Sequence, residues 1–171
     1  MFKQIEPEKI PYNWGIQSLC KLKYYKHPHG CPNHGVREDC PPNQPLINEV
    51  LDFEKEIYVI YTKFKVGKFA ERMRLDHLEW SEHPRQWYNP RRWQPRARKL
   101  HRNDLTEAIE KTGLTKIVLS PEAQGVNVTE LMKNIGISLK WGWPPEHIVE
   151  NQKYLNNTVY LVSLGGHGLD A

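Results

Sequence analysis

The sequence has no long apolar run and few cysteines. Its longest uncharged stretches, such as TVYLVSLGGHGL at 158–169, fall well short of the roughly 20 apolar residues that span a bilayer. The segment MFKQIEPEKIPYNW at the N-terminus has no apolar signal-peptide core. We therefore expect a cytoplasmic protein without membrane insertion. Because the three cysteines are an odd number in a chain without an export signal, a disulfide framework is not expected.

The common catalytic signatures are also missing. The sequence contains no glycine-rich phosphate loop, no Gly-x-Ser-x-Gly and no His-Glu-x-x-His. Apolar residues make up 39% of the chain and charged residues 26%, which is typical of a soluble globular protein. A length of 171 residues suffices for one domain. The cysteine-bearing segment and one basic segment are the main candidates for function.

The hydrophobic pattern predicts a single α/β (α+β) domain over residues 1–171. We expect a small mixed β-sheet flanked by helices, together with an N-terminal loop rich in cysteine, histidine and proline that binds a metal. Residues 1–45 show no sustained period and form this cluster-binding loop region. Residues 46–83 are predicted as helix–strand–helix, with a helix at 46–54 and a buried strand at 56–64. The second helix of this group is expected at 66–80.

The remainder is predicted as a basic aromatic arm followed by an α/β C-terminal half. The arm covers residues 84–102, where Pro84, Pro90 and Pro95 argue against one continuous helix. The C-terminal half covers residues 103–171. Its predicted elements are a helix capped by Asn103 with Leu105, Ala108 and Ile109 inward and Gly113 at its end, a strand at 115–120, a helix from Asn127 to Gly136, a strand at 158–164 and a flexible tail at 165–168.

All three cysteines lie in CKLKYYKHPHGCPNHGVREDCPPN at 20–43, spaced Cys20-x10-Cys31-x8-Cys40. This is not the Cys-x2-Cys knuckle of zinc ribbons. Gly30 and Pro32 bracket Cys31, and two prolines follow Cys40. Proline removes a competing N–H donor and glycine lets backbone amides approach a sulfur atom, so both suit ligation. The alternative is three small buried thiols, since free cysteine is often buried.

The residue types alone leave two kinds of metal site open. Zinc prefers four ligands, which the three cysteines and one of His27, His29 or His34 would supply. An iron–sulfur cluster held by three cysteines leaves one iron for a histidine, a substrate, water or a partner's ligand. His29 and His34 are the nearest candidates, although a histidine in such a loop can also be an ordinary surface residue.

Two segments resemble a known family. GCPNHGVREDCPPNQP, followed by a helix and the strand IYVIY, resembles the predicted metal-binding family known as DUF2284, which carries Cys-Pro-x-x-Gly…Cys-Pro-Pro at this place. SPEAQGVNVTEL is similar to that family's Ser-x-Glu-Ala-x-Gly-Ile-Asp-Val segment. The matching positions are Ser120, Glu122, Ala123, Gly125 and Val128. The resemblance implies an iron–sulfur site more than zinc, with a [4Fe–4S] cluster on Cys20, Cys31 and Cys40.

The chain departs from the family pattern in two ways. Cys20 lies farther from Cys31 than the family's first cysteine usually does, as if the loop carried a histidine-bearing insertion. Family members often have further cysteines before the Ser-x-Glu-Ala segment, and this chain has none there. The resemblance therefore implies one cluster at most, with Cys20 as its least secure ligand.

The basic segment PRQWYNPRRWQPRARKLHR at 84–102 carries seven Lys and Arg residues and no acid, more than the net charge of +4. Arginine and aromatic residues in alternation suit RNA or single-stranded DNA, and the same residue types are common at protein–protein hot spots. A third interpretation is an arm whose tryptophans pack onto the domain beneath cation–π arginines. The candidate partner-binding residues are Trp87, Tyr88, Arg91, Arg92, Trp93, Arg96 and Arg98.

Three functions follow as expectations. The first is an iron–sulfur accessory or oxygen- or redox-responsive protein that docks on a larger anaerobic enzyme complex. The second is a small [4Fe–4S] enzyme that uses an open iron on a thiolated nucleobase or a similar substrate, with Glu122 as an acid or base and arginines holding a nucleic acid. The third is a structural zinc module.

Overall fold

The computed structural model describes residues 1–23, 27–80, 86–139 and 157–169. Within them the chain forms four α-helices and one four-stranded antiparallel sheet, so the expected α+β class is confirmed and the sheet is antiparallel rather than mixed. The strands are β1 (Phe2–Ile5), β2 (Ile57–Phe64), β3 (Lys116–Val118) and β4 (Val159–Gly166). The helices are α1 (Trp14–Ser18), α2 (Val66–Asp76), α3 (Pro90–Thr112) and α4 (Val128–Asn134).

The sheet has the strand order β1-β2-β4-β3. Phe2 of β1 lies opposite Ile60 of β2, and Lys116 of β3 lies opposite Gly166 of β4. Ile57 and Val59 on one face of β2 and Ile60 on the other are fully buried, as expected for a strand that packs on both faces. The strands predicted at 56–64 and 158–164 are therefore confirmed.

The chain divides into two compact units. The first comprises Met1–Ile60, Ala108–Leu139 and Val162–Ala171, and the second comprises Tyr61–Glu107 and Lys140–Leu161. The predicted cysteine ligands belong to the first unit, and the predicted partner-binding residues belong to the second. The single-domain organisation stays a prediction.

The helix predicted at 46–54 is wrong, because only Ile47–Glu49 forms one 3₁₀ turn. The chain leaves the helical path after this turn to pair with the residues that follow β4. The Asp52 N–H donates to the His167 carbonyl at 2.8 Å, and Leu51 forms a bridge with Gly168. The flexible tail predicted at 165–168 is also wrong, since its first two glycines end β4 and its last two residues hold Leu51 and Asp52.

Helix α3 contradicts the predicted break at the prolines. It runs without interruption from Pro90 to Thr112, with Pro95 inside it. Pro90 takes the first helical position, where its missing N–H is unused, and the Asn89 side chain accepts from the Arg91 N–H at 3.1 Å. Asn89 is therefore the N-cap of α3. The cap that the sequence predicts at Asn103 is wrong, because Asn103 lies inside this helix. Residues 84 and 85 of the predicted arm lie outside the described residues.

The C-terminal predictions are confirmed in most details. Gly113 ends α3 with a φ of 70°, in the left-handed region that favours glycine. Asn127 caps α4, accepting from the Glu130 N–H at 3.2 Å. Leu105 and Ala108 face inward as predicted, whereas Ile109 is 40% exposed. No helix in the described part of the chain is long and apolar enough to cross a membrane.

Candidate functional site

Cys20 and Cys31 are brought together by one backbone hydrogen bond. Helix α1 leads directly into the 3₁₀ turn Leu19–Lys21 that carries Cys20. The Cys31 N–H donates to the Cys20 carbonyl at 2.7 Å. Gly30 permits this approach, because it has a φ of 82° and a Cβ there would lie 2.5 Å from the Cys20 oxygen. This hydrogen bond brings the backbone at Cys20 and Cys31 together, so Cys20 is not remote from Cys31.

The segment from Cys31 to Asn43 is a series of tight turns. The Gly35 N–H donates to the Pro41 carbonyl at 2.8 Å, and the Cys40 N–H donates to the Arg37 carbonyl at 3.2 Å. The Pro41–Pro42 peptide bond is cis. These bonds fold the stretch back on itself, which places Cys40 in the same loop cluster as Cys31.

Three buried or half-buried glutamines hold this cluster in place. The Gln17 amide on α1 donates to the Gln44 carbonyl at 2.8 Å and to the Ala123 carbonyl at 2.7 Å. The Gln124 amide donates to the Gln44 side-chain oxygen at 2.7 Å. The segment after Cys-Pro-Pro therefore contacts the Ser-Pro-Glu-Ala-Gln-Gly segment directly, although the two are 80 residues apart.

Gly125 completes this junction. It has a φ of 77°, and a Cβ there would meet the Leu46 Cδ2 at 2.6 Å and the Asn13 carbonyl oxygen at 2.7 Å. The Asn13 N–H donates to the Gly125 carbonyl at 2.9 Å. The three segments approach each other this closely because this position has no side chain.

The three thiols lie within one electrostatic neighbourhood. All three are free and half-buried. Burial raises the pKa of the Cys20 thiol, and negative charge on Cys31, Cys40 and Glu122 raises it further. Burial also raises the pKa of Cys40, with contributions from Asp39 and from Cys31. Without a bound cation the Cys20 and Cys40 thiols are therefore protonated at neutral pH.

Glu122 is the carboxylate of this neighbourhood. It lies in the 3₁₀ helix Pro121–Gln124, which packs near α1. Its side chain has exposed surface, but the surrounding protein desolvates the carboxyl group and raises its pKa. A carboxyl group that is both accessible and surrounded by protein can exchange a proton with a molecule bound beside Cys20.

The predicted histidines occupy other positions. His29 is exposed and His34 is half-buried, and neither contributes to the charges that shift the pKa of Cys20. The His34 backbone N–H closes a turn by donating to the Cys31 carbonyl at 3.1 Å. Across residues 1–23, 27–80, 86–139 and 157–169, no three His, Cys, Asp or Glu side chains lie close enough together to hold one metal ion.

Sequence reasoning missed the residues that support the site. Gln17, Gln44 and Gln124 join its segments through side-chain hydrogen bonds, and none of them lies in a motif that marks a buried amide. Gly125 belongs to the Ser-x-Glu-Ala-x-Gly match. A close backbone approach is a common reason for such a glycine, so this glycine is the one signal that the sequence offers.

The aromatic residues of the predicted partner-binding surface are in the core of the second unit. Trp87, Tyr88 and Trp93 are 8%, 8% and 6% exposed. They pack with residues of α2, and the Trp93 indole N–H donates to the Tyr88 carbonyl at 3.1 Å. A buried ring offers no free face to a partner, so this burial argues against their assignment to a contact surface, which stays a prediction.

The arginines of that surface are exposed and cover aromatic rings. Arg91, Arg92, Arg96 and Arg98 all face solvent. The Arg92 guanidinium lies 4.0 Å from the centroid of Trp80, and the Arg96 guanidinium lies 5.2 Å from that of Phe69. This arrangement matches the third interpretation in part: Trp87 and Trp93 are packed in the unit, but the two arginines cover Trp80 and Phe69 instead of those tryptophans.

Comparisons with protein-family models, with curated proteins and with solved structures find no match to this chain. The resemblance of its two segments to the predicted metal-binding family stays a prediction. The arguments that follow rest on the geometry of the chain itself.

Proposed function

We propose that the chain binds an iron–sulfur cluster, with [4Fe–4S] as the leading form, and serves as an accessory or redox-responsive protein in a reducing cytoplasmic compartment. One observation carries the proposal. Three free thiols from three points of the sequence share one electrostatic neighbourhood, and they do so at the junction of the two segments that resemble the metal-binding family. Thiols that repel each other's charge are stabilised by a shared cation.

The donor set fits a cluster better than a single ion. Cys20, Cys31 and Cys40 supply sulfur only, which suits iron–sulfur chemistry. In a cluster each thiolate binds a different iron, so cluster ligands lie farther apart than the ligands of one ion. A structural zinc site is the competing outcome.

The cysteines would hold the cluster, and the loop would orient them. A bound cluster supplies one-electron chemistry or, with three protein ligands, one iron open to a further ligand. The raised pKa of Cys20 and of Cys40 means that binding releases protons. Gly30 and Gly35, both with positive φ, let the loop backbone approach closely around the thiols.

A protein partner is the second part of the proposal. Large apolar side chains are exposed on the segments that carry the cysteines, at 54–77% of their full exposure. They are Trp14, Leu19, Leu22 and Val36. Apolar exposure of this kind is typical of a contact surface. We propose that these residues dock on a larger enzyme complex and that the partner responds to the state of the cluster.

Anaerobic purification tests the cluster directly. We expect a brown protein that absorbs visible light, as iron–sulfur proteins do. It should contain iron and acid-labile sulfide in comparable amounts. Cys20→Ser, Cys31→Ser and Cys40→Ser should each lower the iron content, whereas the matched control Ser18→Ala should not. Stoichiometric zinc without iron or sulfide would contradict the proposal and favour the structural zinc module.

A small enzyme is the second candidate function, and the position of Glu122 favours it. This carboxylate lies near Cys20 and has exposed surface, so it is placed to exchange a proton with a substrate held at an open iron. A thiolated nucleobase fits, because its sulfur is a good ligand for iron. Glu122→Gln with the cluster intact separates the two functions. Loss of sulfur release from a thiolated nucleoside supports the enzyme, and no release by either protein supports the accessory role.

A further inference from the structure

Helix α3 presents an uninterrupted row of cations to solvent. Residues 91–102 contain no acid. Trp93, Ala97, His101 and Leu105 repeat every four residues and are buried, so the opposite side of the helix faces water. We name the exposed cations of that side the basic face. They are Arg91, Arg92, Arg96, Arg98, Lys99 and Arg102.

Among the residues that the structure describes, none of the six cations of the basic face forms an ion pair with a carboxylate, and the first acid of α3 is Asp104. Like charges three or four residues apart on a helix repel each other and destabilise the helix. A polyanion would remove this repulsion.

We propose that the basic face binds the phosphate backbone of a double-stranded nucleic acid, without reading its sequence. From Arg91 to Arg102 the helix rises about 16 Å, at roughly 1.5 Å per residue. A duplex carries about one negative charge per 1.7 Å of its axis, so a row of this length faces several phosphates at once. Guanidinium groups pair with phosphate oxygens through two parallel hydrogen bonds, and five of the six cations are arginines.

The burial of the aromatic residues favours a duplex over a single strand. Proteins that bind single strands stack the bases on exposed aromatic rings. Trp87, Tyr88 and Trp93 are all in the core, and the Arg92 guanidinium covers a face of the half-buried Trp80. Within the described part of the chain, the basic face therefore offers charge and hydrogen-bond donors but no free ring, which suits a backbone whose bases are already paired.

The same geometry disfavours a membrane surface. A helix that lies in a bilayer interface inserts an exposed apolar face between the headgroups. The apolar side of α3 is packed in the second unit, with Trp93 6% exposed and Ala97 fully buried. Leu100 is the exposed large apolar residue within 91–102. An acidic protein is the remaining competitor, and the experiment decides between it and a duplex.

Fluorescence anisotropy with a labelled 20-base-pair RNA duplex and the corresponding DNA duplex tests the proposal on the full chain. We expect binding to at least one duplex at low salt. The logarithm of the affinity should fall with the logarithm of the salt concentration at a slope of about −3 to −5, since each neutralised phosphate adds roughly −0.9. Single strands of equal length and anionic phospholipid vesicles should bind more weakly.

The decisive variant removes three cations that stack on no described ring. Arg91→Gln, Arg98→Gln and Arg102→Gln in one chain should weaken duplex binding about tenfold or more and reduce the magnitude of the salt slope by roughly 2 to 3. The matched control makes the same charge change elsewhere, at the exposed Lys63, Lys68 and Lys116. Thermal unfolding of both triple variants shows whether each is folded.

The outcomes separate clearly. Selective loss of duplex affinity in the α3 variant supports the proposal. Equal affinity of the two folded triple variants overturns it, and so does absence of duplex binding by the wild type at low salt. Tighter binding to single strands, to vesicles or to an acidic polypeptide such as polyglutamate than to either duplex also overturns it. The iron and sulfide content is measured separately, so a failure here leaves the cluster proposal standing.

Discussion

The Gln124 amide donates a hydrogen bond to the Gln44 side-chain oxygen at 2.7 Å, and this contact joins the segment after Cys40 to the segment that carries Glu122. Gln17 binds the backbone of both segments from α1. The candidate site thus depends on amide groups that take no part in ligation. Removing these amide groups should destabilise the cysteine loop more than it destabilises the rest of the first unit.

Replacing Gln17 with alanine should destabilise the protein by about 2 kcal/mol. The substitution leaves the Gln44 and Ala123 carbonyls without their donor, and a buried unsatisfied group costs about 1–3 kcal/mol. Urea unfolding of the metal-free protein measures the change. Gln4→Ala, at an exposed position of β1, is the control and should change stability little. Equal effects at the two positions would show that Gln17 does not hold the segments together.

Gly125→Ala should lower the stability of the protein more than Gly113→Ala does. Both glycines have positive φ, near 77° and 70°, so each alanine costs about 1–2 kcal/mol of backbone strain. At Gly125 the new Cβ would also meet Asn13 and Leu46, whereas nothing lies within 4 Å at Gly113. Overpacking adds about 1–3 kcal/mol.

Comparing the two glycine variants separates the effect of the steric contacts at Gly125 from the cost of the backbone strain that both variants share. Thermal unfolding should give a lower Tm for Gly125→Ala than for Gly113→Ala. Similar Tm values for the two variants would contradict the tight junction between α1, Leu46 and the Glu122 segment.

Pro95→Ala should stabilise the protein by about 1–2 kcal/mol. Proline inside a helix removes one backbone hydrogen bond and crowds the preceding turn, at a cost of about 3 kcal/mol in a helix interior. The greater freedom of alanine in the unfolded chain offsets part of that gain. Pro90→Ala is the matched control, because the first helical position has no hydrogen bond to restore. A gain for Pro90→Ala as large as that for Pro95→Ala would argue against this account.

His101 should make the protein less stable in acid. It is 7% exposed, and burial lowers its pKa, although the Asp104 carboxylate opposes the shift. The unfolded histidine has a pKa of about 6.5 and binds a proton that the folded one excludes. The stabilisation is therefore complete above that pH and is lost as the pH falls through the folded pKa, by at most about 1.4 kcal/mol per pH unit.

Urea unfolding between pH 7 and pH 5 measures the effect of His101. The Thr62 hydroxyl donates to Asp104, so it must accept from the Nδ1–H of His101, at 2.9 Å. His101→Asn keeps a hydrogen-bond donor near the Thr62 hydroxyl but removes the titratable ring. The stability of this variant should therefore vary less with pH. The exposed His29→Asn should behave as the wild type. An unchanged pH dependence in His101→Asn would assign the acid sensitivity to other groups.

The sequence predicts elements where local signals agree with tertiary packing. The β-branched run of β2 and the Asn127 cap of α4 are found as predicted, because burial and capping chemistry act within a few residues. The glycine and proline neighbours of the three cysteines predict a metal site, which stays a prediction. The fold around these cysteines cannot be predicted in this way, because Gln17 and Gln44 bind partners that no short window contains.

The errors have physical causes as well. Pro95 interrupts the hydrogen-bond pattern early in α3, but Trp93 and Ala97 gain a buried face that compensates for the loss. Instead of the helix predicted at 46–54, the chain forms one helical turn, because Leu51 and Asp52 bind the backbone of residues 167 and 168. In both cases long-range packing overrode a local preference, which is why one sequence window could not reveal it.

The topology has a consequence for the speed of folding. The two inner strands of the sheet are β2 and β4, and β4 follows every other strand in the sequence. The Asn134 side chain reaches back 125 positions to donate to the Lys9 carbonyl. Proteins dominated by contacts of such high sequence separation fold slowly, because large loops must close before any contact forms. A growing chain therefore exposes its three thiols long before Gln124, whose amide binds the segment after Cys40, is made.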